Sequence, residues 1–168
     1  MYKDHLLLNL EREIYLLKRL APMIEEKDLE FRQAEKLRST YELMQYLSRV
    51  GAFMFRWMLV NDITPEVRKE AADYSATLTI QNFSERLDEQ MALMKKYMDG
   101  LSEEDLMTKK VMLPWKEEMV LGAAIINAPV KWLATYRMEL FRNLKLNGRP
   151  ELSTAHAWNP AEPEVKTV

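Results

Sequence analysis

Apolar residues return every three or four positions through three long stretches of this chain. Between 78 and 99, Ile80, Phe83, Leu87, Met91, Met94 and Met98 step by 3, 4, 4, 3 and 4. Near the start, Leu7, Leu10, Ile14, Leu17, Leu20 and Ile24 do the same, with Glu11, Arg12, Lys18 and Glu25 on the other side. Between 39 and 61, Leu43, Leu47, Val50, Met54 and Trp57 form another stripe, widened by Phe53, Phe55 and Met58. That spacing gathers apolar side chains on one face of a helix, and a helix with such a face must bury it against others. Only four glycines, at 51, 100, 122 and 148, occur in 168 residues, too few for a turn-dense β fold. The expected class is all-α.

Start and stop signals set provisional bounds. The first helix is expected from Asp4 to about Glu26, followed by a polar connection to about Arg38. Ser39 and Glu42 have capping-box spacing, so a second helix should begin there and stop near Asn61-Asp62. A short turn over Pro65 to Asp73 follows. The third helix should cover Leu78 to Asp99, with Gly100 as the residue that ends it. Ser102 and Asp105 mark another short start, and Lys109 to Trp115 reads as an extended link. The last helix is expected from Glu117 to Leu146, kinked near Ala128 by Pro129 and closed by Asn147-Gly148. Four amphipathic helices with a long connection between the second and third read as a four-helix bundle. The bundle occupies 1–148, and a tail over 149–168, with Pro150, Pro160 and Pro163, is expected to be extended or disordered.

Charge and cysteine content exclude several chemistries. With 24 basic and 26 acidic side chains, the formal charge is −2, which gives no footprint for nucleic acid. No cysteine is present, so disulfides, thiolate nucleophiles and Cys-ligated metals are excluded. The longest uncharged apolar run, Met119 to Val130, is too short to span a bilayer, so no membrane partner is expected. A cytoplasmic location follows as the default. There is no G-x-S-x-G, no phosphate-binding glycine loop and no H-E-x-x-H.

Two segments resemble the DinB/YfiT-like superfamily. Ser39 to Gly51, STYELMQYLSRVG, is similar to that family's second helix, where a Ser cap is followed about seven residues later by an inward His. Leu113 to Gly148 is similar to its last helix, which carries His-x-x-x-His, then Arg, then Gln, then a leucine-arginine run ending in Gly. Here Arg137, Glu139 and Gly148 stand in the Arg, Gln and Gly places. The resemblance implies a four-helix bundle. It also implies a three-histidine site for a divalent metal, often nickel or zinc, used by hydrolases and thiol-dependent transferases.

The three matching positions hold Tyr46, Trp132 and Tyr136 instead of histidines. Indole has no lone pair to donate, and a phenol near pKa 10 loses its proton at pH 7 only at a cost of about 4 kcal/mol. The expectation is therefore no metal and no cofactor, with the three aromatics either filling the space or lining a ligand pocket between the second and last helices. Glu139 and Arg137 lie nearby as acid–base candidates or as structural ion pairs, and Glu42 combines a capping role with the same direction. His5 and His156 fit no triad position. The leading reading is a non-catalytic or small-ligand-binding member with a degenerate metal site. One rival is a metal-dependent hydrolase or thiol transferase that uses Glu139 with Tyr46 or Tyr136. The other is a structural or regulatory homodimer, for which the Met91-Met94-Met98 stripe could supply a surface, core packing being the alternative use of that stripe.

Overall fold

The first apolar stripe forms α1 (Tyr2–Leu20), with Leu6, Leu10, Ile14, Leu17 and Leu20 buried in the computed structural model, which describes residues 2–159. The helix stops at Leu20 and not at Glu26. Pro22 lacks an amide hydrogen and crowds the preceding turn, so the chain tightens into 3₁₀ turns at Ala21–Met23 and Glu26–Asp28. The connection is anchored by Asp28, which is fully buried and accepts from the Glu25 amide at 2.9 Å and from Asn147 Nδ2 at 2.8 Å.

The second stripe is divided into α2 (Thr40–Leu47) and α3 (Val50–Leu59) where one helix was expected. The capping box is present: the Glu42 amide donates to Ser39 Oγ, and the Ser39 amide donates to Glu42 Oε2 at 2.7 Å. The break has a local cause. In a continuous helix the Gly51 amide would donate to the Leu47 carbonyl. Here the buried Gln90 side chain stands between them: its Oε1 accepts from Gly51 N–H at 2.7 Å and its Nε2 donates to Leu47 C=O at 2.8 Å. Insertion of a side chain into the hydrogen-bond ladder bends or breaks a helix. Glycine at 51 suits this close approach: a Cβ there would lie 2.5 Å from Met94 Sδ, and the thioether would have to shift.

Beyond α3, Asn61 takes a left-handed conformation (φ 57°) and the chain enters α4 (Pro65–Ala76). This is a three-turn helix and not the short turn that was expected: Thr64 caps it by accepting from the Val67 amide, and Pro65 occupies the first position. The third stripe forms α5 (Phe83–Asp99), which begins after Leu78 because Thr79 and Asn82 exchange side-chain-to-backbone hydrogen bonds that hold a turn. Gly100 follows it with φ −75°, so it does not use the left-handed conformation for which a glycine stop is chosen. Ser102 and Asp105 cap α6 (Glu103–Thr108).

The region 110–130 differs most from expectation. The link over Lys109 to Trp115 is extended as expected in β1 (Lys110–Met112), but it pairs antiparallel with β2 (Glu118–Val120), formed by residues at the start of the expected last helix, with Val111 opposite Met119 and Lys116 left-handed at φ 66°. Helix resumes in α7 (Leu121–Ile125), widens to a π-turn over Ile126–Val130, and continues as α8 (Lys131–Leu146). Pro129 lies inside the π-turn, which is how the chain accommodates a residue that cannot donate. Gly148 is left-handed at φ 98°.

The tail expectation needs correction for its first part. Residues after Gly148 turn back, and α9 (Thr154–Trp158) docks with Leu152 and Ala157 buried. Ser153 and His156 form a capping box that starts this helix, a role for His156 absent from the sequence reading. Positions 160–168 lie outside the described residues.

The molecule is mostly helical, with one two-stranded hairpin. Helix α1 packs on α5, α8 and α9, α2 packs on α8, and α3 packs on α5. Their apolar faces share one core, in which Leu10, Leu17, Met44, Phe55, Leu87 and Leu133 are buried. Met94 and Met98 belong to this core and Met91 packs against it, so the methionine stripe serves the interior. Among the described residues no helix is long and apolar enough to cross a membrane.

Candidate functional site

Helices α2 and α8 pack side by side, and each contributes one tyrosine to the seam. Tyr46, on the last turn of α2, meets Tyr136 of α8 edge to face, with ring centroids 4.7 Å apart. Both rings are half-buried. The approach is the favourable T-shaped one, in which the positive edge of one ring meets the negative face of the other.

A third group completes the cluster, and sequence reasoning missed it. Arg38, the residue before the helix cap, places its guanidinium carbon 4.4 Å from the Tyr46 centroid and 4.9 Å from the Tyr136 centroid. Among the described residues it has no carboxylate partner, so its charge is compensated by two π faces. Arg49, at the break between α2 and α3, also acts on Tyr46 electrostatically. Despite two nearby cations, the Tyr46 hydroxyl is pushed up to about 12, mainly by burial and further by Tyr136, with Arg38 and Arg49 working in the opposite direction. Loss of a proton from this phenol is therefore harder than from a free tyrosine.

An open cleft of about 560 Å³ lies against this cluster, lined by Arg32, Lys36, Arg38, Glu42, Tyr136 and Glu139, with Leu37 beside them. Arg32 and Glu42 approach to 3.5 Å, and Glu42 is also held by its cap. Glu139 makes no hydrogen bond or ion pair among the described residues and is available to whatever enters. The cleft is therefore polar, cationic on its α2 side, with one free carboxylate on α8.

No family model, curated protein or solved structure matches this chain.

Two of the five expected site residues stand elsewhere. Trp132 makes its ring contact with Trp115 of the hairpin, at 5.8 Å between centroids, and none with either tyrosine among the described residues. Arg137 does not face the cleft. It is buried on the far side of α8, where Nε donates to Glu13 Oε2 of α1 at 2.8 Å and Nη1 donates to the Ala157 carbonyl of α9. One residue along a helix is a rotation of about 100°, enough to take Arg137 away from the seam that Tyr136 occupies. Its pairing with Glu13, and not with Glu139, makes it structural. Among the described residues no three His, Asp or Glu side chains gather in a way that could hold a metal. His5 lies on α1 in a groove with Ile126 and Val130, and His156 caps α9.

Proposed function

We propose that this chain is a divergent DinB/YfiT-like four-helix bundle, cytoplasmic, in which the place of the metal has become a binding cleft for a small oxyanion. The reading rests on one observation. Arg38 lies over both Tyr46 and Tyr136, at two of the three positions that the resemblance assigns to metal ligands, and has no carboxylate partner among the described residues. A guanidinium on these rings repels a divalent cation and presents N–H donors to an anion, the geometry that suits a carboxylate or phosphate. The Tyr46 phenol, held protonated to about 12, is a poor source of a metal-binding phenolate at neutral pH, and of the two tyrosines Tyr136 lines the cleft. Lys36 adds charge at the rim, where Arg32 is paired with Glu42.

Two measurements test this reading. Protein expressed with metals supplied and without an affinity tag is expected to contain no stoichiometric zinc or nickel. About one metal per chain, lost in Glu139→Ala, would overturn the oxyanion reading in favour of a hydrolase or thiol transferase with replaced ligands. Titration with inorganic phosphate is expected to shift the NMR signals of Arg38 Nε–H and the Tyr46 and Tyr136 ring protons together, and Arg38→Met is expected to abolish the shifts. Ring signals that ignore phosphate would reduce the cluster to packing.

A further inference from the structure

A second cleft lies between α3, α4 and α5. It holds about 340 Å³ and its walls are chiefly apolar: Ala52 and Phe53 from α3, Val67 and Ala71 from α4, Leu93 and Tyr97 from α5. That volume lies at the small end of the range for ligand pockets, which are typically apolar with a few polar groups placed for specificity.

The polar groups of this cleft are nearly all committed. Arg56 is held in a two-point ion pair by Asp62, with both N···O distances 2.7 Å. The Tyr74 hydroxyl donates to Glu89. The Ser48 hydroxyl donates to the Gln45 carbonyl at 2.9 Å. The Gln90 amide is used at both ends by the α2–α3 break. Glu70 stands exposed, close enough to act on Arg56. Arg49 is the exception. It lines the cleft, has no carboxylate partner among the described residues, and its Nε is buried without a hydrogen bond. Among the described residues its only ring contact is a distant one over Phe53, at 5.9 Å. A guanidinium partly removed from water with neither an ion pair nor a full set of acceptors is costly, and an anion that enters beside it relieves that cost.

We infer that the α3–α4–α5 cleft binds a monocarboxylate with a medium-length apolar chain, its carboxylate on Arg49 and its chain against Ala52, Phe53, Val67 and Leu93. One free guanidinium matches one carboxylate in charge and in planar two-point geometry. A dianionic phosphate headgroup is less suited, because Arg56 is already neutralised and Glu70 lies at the same cleft. Arg49 feels Tyr46 and Arg38 electrostatically, but the two clefts share no lining residue, so the inference does not rest on the oxyanion reading.

Calorimetric titration of the full chain with octanoate tests the inference. Octanoate is expected to bind one to one. Hexanoate should bind more weakly by about fourfold for each methylene removed, the increment expected for buried CH₂ groups. Octanol, with the same chain and no carboxylate, should bind at least tenfold more weakly than octanoate, and Arg49→Met should bring octanoate down to the octanol level. Because Arg49 is half-buried and its loss could disturb the α2–α3 break, Ala71→Trp, on the α4 wall, serves as a second variant that fills the cleft and is expected to abolish binding. Arg38→Met, which removes a positive charge that acts on Arg49, should weaken octanoate binding far less than Arg49→Met does while it removes the phosphate response, which distinguishes the two clefts. Equal affinity for octanoate and octanol, or full octanoate binding by Ala71→Trp, would refute the assignment.

Discussion

At the scale of single residues, the site is a problem in the placing of charge. Tyr46 and Tyr136 could be picked out in the sequence, because a pattern of spacing carried them to the seam. Arg38 could not. It sits at the end of a polar connection among Arg32, Lys36 and other charged neighbours, and nothing in the order of letters says which of several cations folds back over two rings. Arg137 was legible as a residue on α8 but not as one that faces α1, because its partner Glu13 lies 124 positions away. The raised Tyr46 pKa gives a signed expectation for stability against pH. The folded state keeps the Tyr46 proton up to about 12, whereas an unfolded tyrosine loses it near 10. Folding thus retains a proton in that window. The stabilisation is complete below pH 10 and is lost as pH rises towards 12. In denaturant titrations, the wild-type protein should lose stability between pH 10 and 12 more steeply than Tyr46→Phe, which has no hydroxyl to titrate. Parallel curves would mean that Tyr46 titrates as it does in the unfolded chain.

At the scale of elements, helices were readable wherever a stripe ran unbroken and a cap began it. The Ser39 and Ser102 capping boxes lie where the spacing put them. The readings failed where a long-range contact overrode local pattern. The stripe from Leu43 to Trp57 has perfect helical period, yet α2 and α3 are separate because of a glutamine from α5. The hairpin was missed for the opposite reason: three-residue strands are too short to show alternation, and Lys116 is an unusual residue for a left-handed turn. Two substitutions test the break. Gln90→Met keeps the length of the side chain but leaves the Gly51 amide and the Leu47 carbonyl to find each other or stay unpaired, at about 1–3 kcal/mol for each buried group left without a partner. We expect a lowered unfolding midpoint in urea and raised hydrogen exchange at the Gly51 amide. Gly51→Ala improves helix propensity by about 1 kcal/mol. It also drives a methyl group to 2.5 Å from Met94 Sδ and 3.1 Å from Gln90 Oε1. Overpacking of that kind costs about 1–3 kcal/mol, so thermal unfolding should show a net loss. A gain would mean that Met94 has room to move.

At the scale of the whole molecule, the chain is closed by contacts between its beginning and its end. Arg137 joins α1 through Glu13 and α9 through Ala157, and Arg149 reaches back to Asp28 at 3.0 Å and Glu25 at 2.7 Å. Arg137→Met should therefore do two things: destabilise the fold by about 3–5 kcal/mol, the usual cost of leaving one member of a buried pair alone, and release α9. Limited proteolysis would read the second effect as early cleavage between 149 and 159, and an intact C-terminal segment in a destabilised variant would show that Leu152 and Ala157 hold it without the arginine. The glutamine that divides α2 from α3 has a consequence for descent. Gly51, Gln90 and Met94 are strangers in sequence but constrain one another, because the amide at 90 bonds the chain where the helix is broken and a side chain at 51 would crowd both that amide and the Met94 thioether. Lineages of this chain should gain or lose the three together, and a relative with alanine at 51 should carry neither the glutamine nor the divided helix.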